Sequence, residues 1–156
     1  MMGAAYQGLG NLDAAVEFYQ KTISIKPDHV DAYNNMGNAL KGHGKIDEAI
    51  EAYKKALSLK PDYAAAHRNL STLIKYEAGD PQLATVIELI QHSDLKDDDR
   101  CHLYYALAKM NEDLGEFEDA LKHYISGGAL RTKLLSYDQK QDEVLFAHIM
   151  RGLLAK

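Results

Sequence analysis

Four glycine–alanine pairs recur along the chain with a nearly constant spacing. The pairs are Gly10–Ala15, Gly44–Ala49, Gly79–Ala84 and Gly115–Ala120. Successive glycines are 34, 35 and 36 residues apart, and each alanine follows its glycine by five residues. A period of this length is typical of arrays in which each unit buries its apolar face only against its neighbours. The pattern predicts a row of stacked units in place of one closed core.

Residues 30–61 show what one unit contains. Apolar and small residues recur at helical spacing over about 31–42 and again over about 47–59, which predicts two helices. Gly44 lies between them and supplies the turn, because glycine adopts a positive φ without steric cost. Pro61 ends the second helix, since proline cannot continue the hydrogen-bond ladder. Each unit is therefore predicted to be a helix pair.

Three residues of this unit predict how the helices pack. Gly37 and Ala49 are small and lie where the two helices must approach closely. Tyr53 is large, and we expect its ring to fill the gap between neighbouring pairs. Tyr19 and Tyr124 occupy the same position in their own units, four residues after the alanine.

The pattern resembles the tetratricopeptide repeat family, which has a 34-residue period, small residues where the helices cross and a proline at the end. The resemblance implies an all-α fold, a right-handed α-α superhelix of antiparallel helix pairs. It implies a single domain over 1–156, with repeats at about 1–27, 28–61, 62–96 and 97–133. Repeat three departs from the family pattern, because Ser71 replaces the expected glycine and Glu88 replaces the aromatic residue.

Both ends of the array are predicted to be irregular. The register places Met1 and Met2 in the middle of the first helix of repeat one, so about five residues of that helix are expected to be missing. At the other end, a helix over about 138–155 is predicted to cap the solenoid, since arrays need a terminal helix with a polar outer face. The apolar stripe of this helix consists of Val144, Leu145, Ile149, Met150 and Leu153.

A second resemblance covers residues 101–149. The matching segments are Leu107 to Ala120, Ala129-Leu-Arg, Tyr137-Asp138, Phe146 and Ile149. They look like the last repeat and connecting helix of bacterial repeat-containing sulfotransferases, in which a catalytic domain follows and opens with a phosphate-binding loop. The chain reaches Lys156 without that loop, so the catalytic domain is expected to be missing. This leaves an alternative function, the N-terminal substrate- or partner-binding region of a larger sulfotransferase or glycosyltransferase.

Composition and motifs argue against several other functions. A net charge of −5 does not fit a broadly basic nucleic-acid-binding surface. The motifs GxxxxGK[ST], GxGxxG, GxSxG and HExxH are absent, so no enzyme activity, metal or cofactor is predicted. No apolar run approaches the ~18–20 residues that span a membrane. A cytoplasmic location fits the single cysteine, Cys101, which is predicted to be buried.

Two acidic motifs are predicted to be structural. Asp97, Asp98 and Asp99 lie where the first helix of repeat four begins, and carboxylates there stabilise the free N–H groups. Asp80 precedes Pro81, which is the order expected for a capping residue followed by the first helical position.

The family resemblance places function on the first helix of each pair, which lines the concave surface where extended peptides or helices bind. We therefore expect a protein–protein interaction scaffold that holds a peptide or partner segment in this groove. The predicted groove residues are Asn34, Asn35, Asn38, Lys41, Arg68, Asn69, Thr72, Lys75, Tyr105 and Lys109.

Two features of the groove predict its partner. Asn35 and Asn69 are 34 residues apart, and they resemble the asparagine ladder that holds peptide backbone in O-linked N-acetylglucosamine transferase arrays. A basic stripe is predicted from Lys41, Arg68, Lys75 and Lys109. Such a stripe favours an acidic peptide, although lysine is also a common solvated residue of helices. A homodimer through exposed terminal helices is a further alternative.

Overall fold

The computed structural model describes residues 11–154, and this part of the chain is helical without a β-strand. Its helices are α1 (Leu12–Ile25), α2 (Val30–Gly42), α3 (Ile46–Leu59), α4 (Ala64–Ser71), α5 (Pro81–Ile90), α6 (Asp97–Asp113) and α7 (Phe117–Leu154). The helices predicted over 31–42 and 47–59 agree with α2 and α3 to within one residue at each end. The predicted first helix of repeat one lies outside the described residues.

Local side chains and glycines set the ends of these helices. The Asn11 side chain accepts a hydrogen bond from the Ala14 amide at 3.2 Å and caps α1. Asp80 accepts from the Gln82 amide at 2.8 Å, with Pro81 at the first turn of α5, so this predicted cap is confirmed. Gly44 has a φ of 81°, as the predicted turn between α2 and α3 requires.

The core divides into neighbouring clusters along the array, as expected for units that pack only on adjacent units. Tyr19 and Tyr53 are fully buried at equivalent positions of α1 and α3. A third cluster centres on Leu103 and Met110 of α6, against which Val86 of α5 packs. The cluster around Tyr19 draws its residues from α1 and α2, and the other two draw residues from three or more helices, so neighbouring helix pairs share their cores.

Repeat three, in which Ser71 and Glu88 depart from the family pattern, forms an irregular helix pair. Helix α4 ends at Ser71. Helix α5 packs mainly on α6, and it contacts α4, the other helix of its repeat, much less. Ser71 Oγ donates to the Arg68 carbonyl at 2.6 Å, and Thr72 Oγ1 donates to the Asn69 carbonyl at 2.7 Å. These side-chain bonds compete with continuation of the helical ladder. Residues 72–80, which we call the connector, then run without a helix around the buried side chain of Tyr76.

The capping helix predicted over about 138–155 is continuous with the helix before it in the described residues. The second helix of repeat four continues without a break, as α7, from Phe117 to Leu154. Between positions 133 and 138 there is no glycine or proline to stop it, so the helix propagates. Its C-terminal part does not fold back over the array, and its apolar side chains from Val144 to Leu153 are exposed. The predicted last residue, 155, lies outside the described range.

Candidate functional site

The first helices α2, α4 and α6 lie side by side and bring most of the predicted groove residues together. Side-chain contacts link residues about one repeat apart: Asn34 with Asn69, Lys41 with Thr72, and Arg68 with His102. We call this surface, formed by the predicted residues on α2, α4 and α6 and by Thr72 at the end of α4, the groove.

Asn69 of the groove is hydrogen-bonded to Asn34, and not to Asn35, with which it was predicted to stack. Asn69 Nδ2 donates to Asn34 Oδ1 at 3.0 Å, and Asn34 is buried. This bond ties α4 to α2, so Asn34 acts as a packing residue. Asn35 is half-buried, and Asn38 accepts a hydrogen bond from the Tyr53 hydroxyl at 2.7 Å through Oδ1.

Arg68 is the best-positioned cation of the groove. Its guanidinium carbon lies 4.4 Å from the centroid of the Tyr105 ring, a cation–π contact between α4 and α6. One guanidinium nitrogen lies 3.4 Å from Nδ1 of His102. No carboxylate forms an ion pair with Arg68 among residues 11–154. The stacking therefore orients a guanidinium whose charge is not neutralised by the protein.

The environment of His102 keeps its imidazole neutral beside the Arg68 guanidinium. Burial lowers the pKa of His102 from its ordinary value, and the nearby Arg68 lowers it further, against the opposing effect of Asp98 and Asp99. The imidazole is therefore neutral near pH 7, and its Nδ1 can accept from Arg68 without adding a second positive charge.

A cavity of about 260 Å³ opens beside Arg68. Its lining consists of Arg68, Ser71, Thr72, Tyr105, Lys109 and Tyr124. Four of these were predicted groove residues, while Ser71 and Tyr124 were missed. Tyr124 was assigned to the core, yet its ring tilts beside that of Tyr105 at 6.3 Å between centroids, and its hydroxyl donates to Glu112 at 2.9 Å.

Lys109 lines the cavity but is held by the protein itself. Its ammonium group donates to the Ile74 carbonyl at 3.1 Å and forms a short ion pair with the Asp113 carboxylate. Asp113 also accepts from the Tyr76 amide at 3.1 Å. Lys109 and Asp113 thus hold the connector against α6. Asp113 escaped the sequence analysis because its partner Tyr76 lies 37 residues away in an irregular segment.

The predicted basic stripe is consequently interrupted. Lys75 lies in the connector, beyond the end of α4, and does not line the cavity. Lys41 is exposed on α2, with its ammonium nitrogen 3.5 Å from Thr72 Oγ1. Arg68 and Lys41 are the two cations of the predicted stripe that face the groove without an acidic partner among residues 11–154.

The remaining candidate chemistry has a structural explanation. Cys101 is buried, its thiol lies 3.4 Å from the Gly127 carbonyl, and burial raises its pKa, which disfavours a reactive thiolate. Asp97, Asp98 and Asp99 occupy the first turn of α6, as predicted, and Asp97 pairs with Lys133 at 2.9 Å. Within residues 11–154, no cluster of acidic, histidine or cysteine side chains is arranged to hold a metal ion. None of the described helices is long and apolar enough to cross a membrane.

Comparisons with protein families identify the repeat in the N-terminal part of the chain. Residues 3–44 match a family described as TPR repeat, and residues 30–63 match the tetratricopeptide repeat family. These matches confirm the resemblance for residues 3–63. A search of curated proteins finds no match.

Solved structures extend the likeness over most of the chain. The crystal structure of MamA has a TM-score of 0.61 at 21% identity, covering 85% of this chain and 75% of that one. The MamA RS-1 ArsTM double mutant has a TM-score of 0.61 at 17% identity, covering 83% and 71%. A kinesin light chain-type protein of Podospora anserina with nearly identical TPR-like repeats has a TM-score of 0.59 at 17% identity, covering 85% and 72%. Identities this low show the fold alone, and they confirm the predicted all-α solenoid.

Proposed function

We propose that this chain, which carries tetratricopeptide repeats in residues 3–63 and the solenoid fold beyond them, is a protein-binding scaffold and not an enzyme. Its groove binds an extended peptide or partner segment that presents a carboxylate to Arg68. The tetratricopeptide fold is typically a scaffold for protein–protein interaction, and the residues that differ between arrays select the partner.

The observation that carries the proposal is the stacking of the Arg68 guanidinium on Tyr105 beside the cavity of about 260 Å³. A guanidinium offers a planar fork of donors that matches both oxygens of a carboxylate. Because the ring restricts its orientation, less conformational entropy is lost when a ligand binds. The cavity alongside is lined by Thr72 and Tyr124, which suits a short polar side chain or a chain terminus.

The rest of the groove supplies contacts to a peptide backbone. Asn35 and Asn38 are half-buried on α2, which contacts α4, the helix that carries Arg68. Lys41 lies between them and the cavity, where it adds positive charge. This arrangement supports an acidic peptide over a basic one, and it offers no continuous basic surface for nucleic acid. A cytoplasmic location is part of the same proposal, since the buried Cys101 is a free thiol.

A peptide array tests the proposal directly. The probe is a set of random ten-residue peptides in two matched halves. Peptides of the first half have acidic side chains near a free C-terminal carboxylate. In the second half each of these carboxylates is replaced by the corresponding amide, and the C-terminus is a carboxamide. We expect the acidic set to be retained preferentially, and Arg68→Ala to weaken the best peptide by about tenfold or more, the usual cost of removing a charge-assisted contact. Arg68→Lys should recover only part of the loss, because lysine lacks the planar fork.

Lys122→Ala is the matched control, since Lys122 is an exposed cation on α7 that does not line the cavity. It should leave peptide binding unchanged. Equal retention of acidic and amidated peptides, or equal effects of Arg68→Ala and Lys122→Ala, would refute the assignment of Arg68 as the anchor.

A further inference from the structure

A cleft between α1 and α3 combines an apolar floor with an acidic rim. Its floor is formed by Tyr33, Met36 and Leu40 of α2, of which Leu40 is buried and the others are half-buried. Its rim carries the exposed carboxylates of Asp47, Glu48 and Glu51 on α3, which outnumber the one lining cation, Lys55. The cleft has a volume of about 440 Å³. It lies between second helices, away from the groove, and we call it the acidic cleft.

The C-terminal part of α7 has the complementary character. Val144 and Leu145 are 66% and 58% exposed, and nothing in residues 11–154 covers them. They lie on one side of the helix with Lys140, His148 and Arg151, at intervals of three to four residues. We call this set the α7 stripe. It places two apolar side chains between two cations on a helical segment that is roughly 17 Å long from 140 to 151.

Charge decides which surface the α7 stripe can cover. If two copies paired their stripes in antiparallel fashion about Val144 and Leu145, Lys140 of one copy would lie opposite Arg151 of the other. Parallel pairing would set each cation against its own counterpart. Both arrangements juxtapose like charges, which disfavours a symmetric interface. The carboxylates of the acidic cleft offer the opposite charge beside an apolar floor.

We propose that the α7 stripe of one molecule docks in the acidic cleft of a second copy. Val144 and Leu145 cover the apolar floor, while Lys140 and Arg151 lie beside the rim carboxylates. The contact goes beyond the proposed function, because neither surface includes a groove residue. The cleft belongs to the N-terminal helices and the stripe to the C-terminal end of the array, so the interface joins different surfaces of the two copies. Such a head-to-tail contact closes into a ring or, where it does not close, propagates as a filament.

Sedimentation velocity of the full chain over a range of concentrations tests this assembly. We expect the average mass to rise above the monomer mass of 17.4 kDa with concentration, and to fall again as salt screens the exposed charges. Glu48→Lys/Glu51→Lys should weaken association by about tenfold or more, and so should Lys140→Glu/Arg151→Glu. An equimolar mixture of the two double variants should associate again, because each acidic stripe then meets a basic cleft and each basic stripe an acidic cleft.

Glu118→Lys/Asp119→Lys is the matched control, because both carboxylates are exposed on α7 outside the stripe and the cleft. It changes the net charge by the same amount and should leave association unchanged. Recovery in the mixture excludes misfolding of the variants as the cause of their loss. A wild-type chain that stays monomeric at every concentration overturns the proposal, as does failure of the mixture to recover. Stronger association of Lys140→Glu also overturns it, since that outcome identifies antiparallel pairing of two stripes.

Discussion

Gly37 and Tyr53 pack so closely that a β-carbon on residue 37 would lie 2.5 Å from Cε1 and 2.8 Å from Cδ1 of the Tyr53 ring. Tyr53 is fully buried, and its hydroxyl is fixed by the hydrogen bond to Asn38 at 2.7 Å. The ring therefore has little freedom to move aside. The contact between α2 and α3 depends on the missing side chain at position 37, and it also orients Asn38 in the groove.

We expect Gly37→Ala to lower the free energy of unfolding by about 1–3 kcal/mol, the usual cost of overpacking a core. The loss should appear even though alanine favours a helix over glycine by up to about 1 kcal/mol. Urea unfolding followed by far-UV circular dichroism measures the change.

Gly152→Ala is the control for the helix-propensity effect. Gly152 lies in α7, and an added β-carbon there meets nothing within 4 Å. This substitution should leave the stability unchanged or raise it slightly. If Gly37→Ala behaved like Gly152→Ala, the close contact with Tyr53 would not limit the packing of α2 on α3.

The sequence predicted those parts of the fold that depend on local backbone chemistry. The turn at Gly44 and the cap at Asp80 follow from the conformations that these residues favour within a few positions. The early end of α4 was not predicted, because Ser71 and Thr72 are compatible with both a helix and its end. Thr72 also contacts the Lys41 ammonium group, which lies 31 residues away in the sequence.

The same distinction applies to the groove. Its position on α2, α4 and α6 follows from the family resemblance, which placed Arg68 and Tyr105 on one surface. The roles of Asn34 and Lys109 could not be predicted, since a 34-residue spacing does not specify which side chains reach each other. Asn69 reaches Asn34 and not Asn35, and Lys109 reaches the connector, whose path no periodic pattern describes.

We expect the ion pair between Lys109 and Asp113 to matter more for stability than an exposed ion pair does. Only 14% of the Asp113 side chain is exposed, so Lys109→Met would leave a carboxylate with little solvent to replace its partner. We expect a loss of about 2–4 kcal/mol in the free energy of unfolding. Lys133→Met removes the exposed pair with Asp97 and should cost less than about 1 kcal/mol.

Chemical denaturation measures the free energy of unfolding of both variants. The same measurement is made on Asp113→Asn and on the double variant Lys109→Met/Asp113→Asn. The double variant should be less destabilised than Lys109→Met alone, because it removes the unpaired charge. Equal losses for Lys109→Met and Lys133→Met would mean that the connector does not depend on this pair.

We expect the protein to lose stability in mild acid because of His67. Its Nε2 donates to the Pro61 carbonyl at 2.7 Å, and its Nδ1 lies 3.3 Å from Nε2 of Gln82, so the neutral ring is the form that these contacts favour. Burial lowers the pKa of His67, and this effect exceeds the opposing influence of the Pro61 carbonyl and Asp62. The folded state therefore binds its proton at lower pH than the unfolded state, whose histidine titrates near 6.5.

The sign follows from proton linkage. Stability from the neutral imidazole is fully present above about pH 6.5 and is lost as the pH falls below the unfolded pKa toward the folded one. We expect the free energy of unfolding to drop by about 0.5–1.5 kcal/mol between pH 7.5 and 5.5. His67→Gln should reduce this drop without abolishing it, since burial also lowers the pKa of His102 and His123. The control is His148→Gln, on the exposed end of α7, which should keep the wild-type drop in stability. If the drop were unchanged in His67→Gln, groups other than His67 would be its cause.

The exposed end of α7 predicts a gradient of amide hydrogen exchange along one continuous helix. Residues 120–134 pack on α6, where Ala120 and Gly127 are buried against it. Residues 139–153 are exposed throughout, and an isolated helical segment of about 15 residues is only marginally stable in water.

In dilute protein we expect opening free energies of about 0–1 kcal/mol for amides 139–153, and much larger ones for the core of α6 from 103 to 111. Exchange followed by mass spectrometry measures both segments in one sample, with α6 as the internal reference. Protection of 139–153 equal to that of α6 in a dilute, monomeric sample would show that the segment packs on its own chain, as a capping helix would.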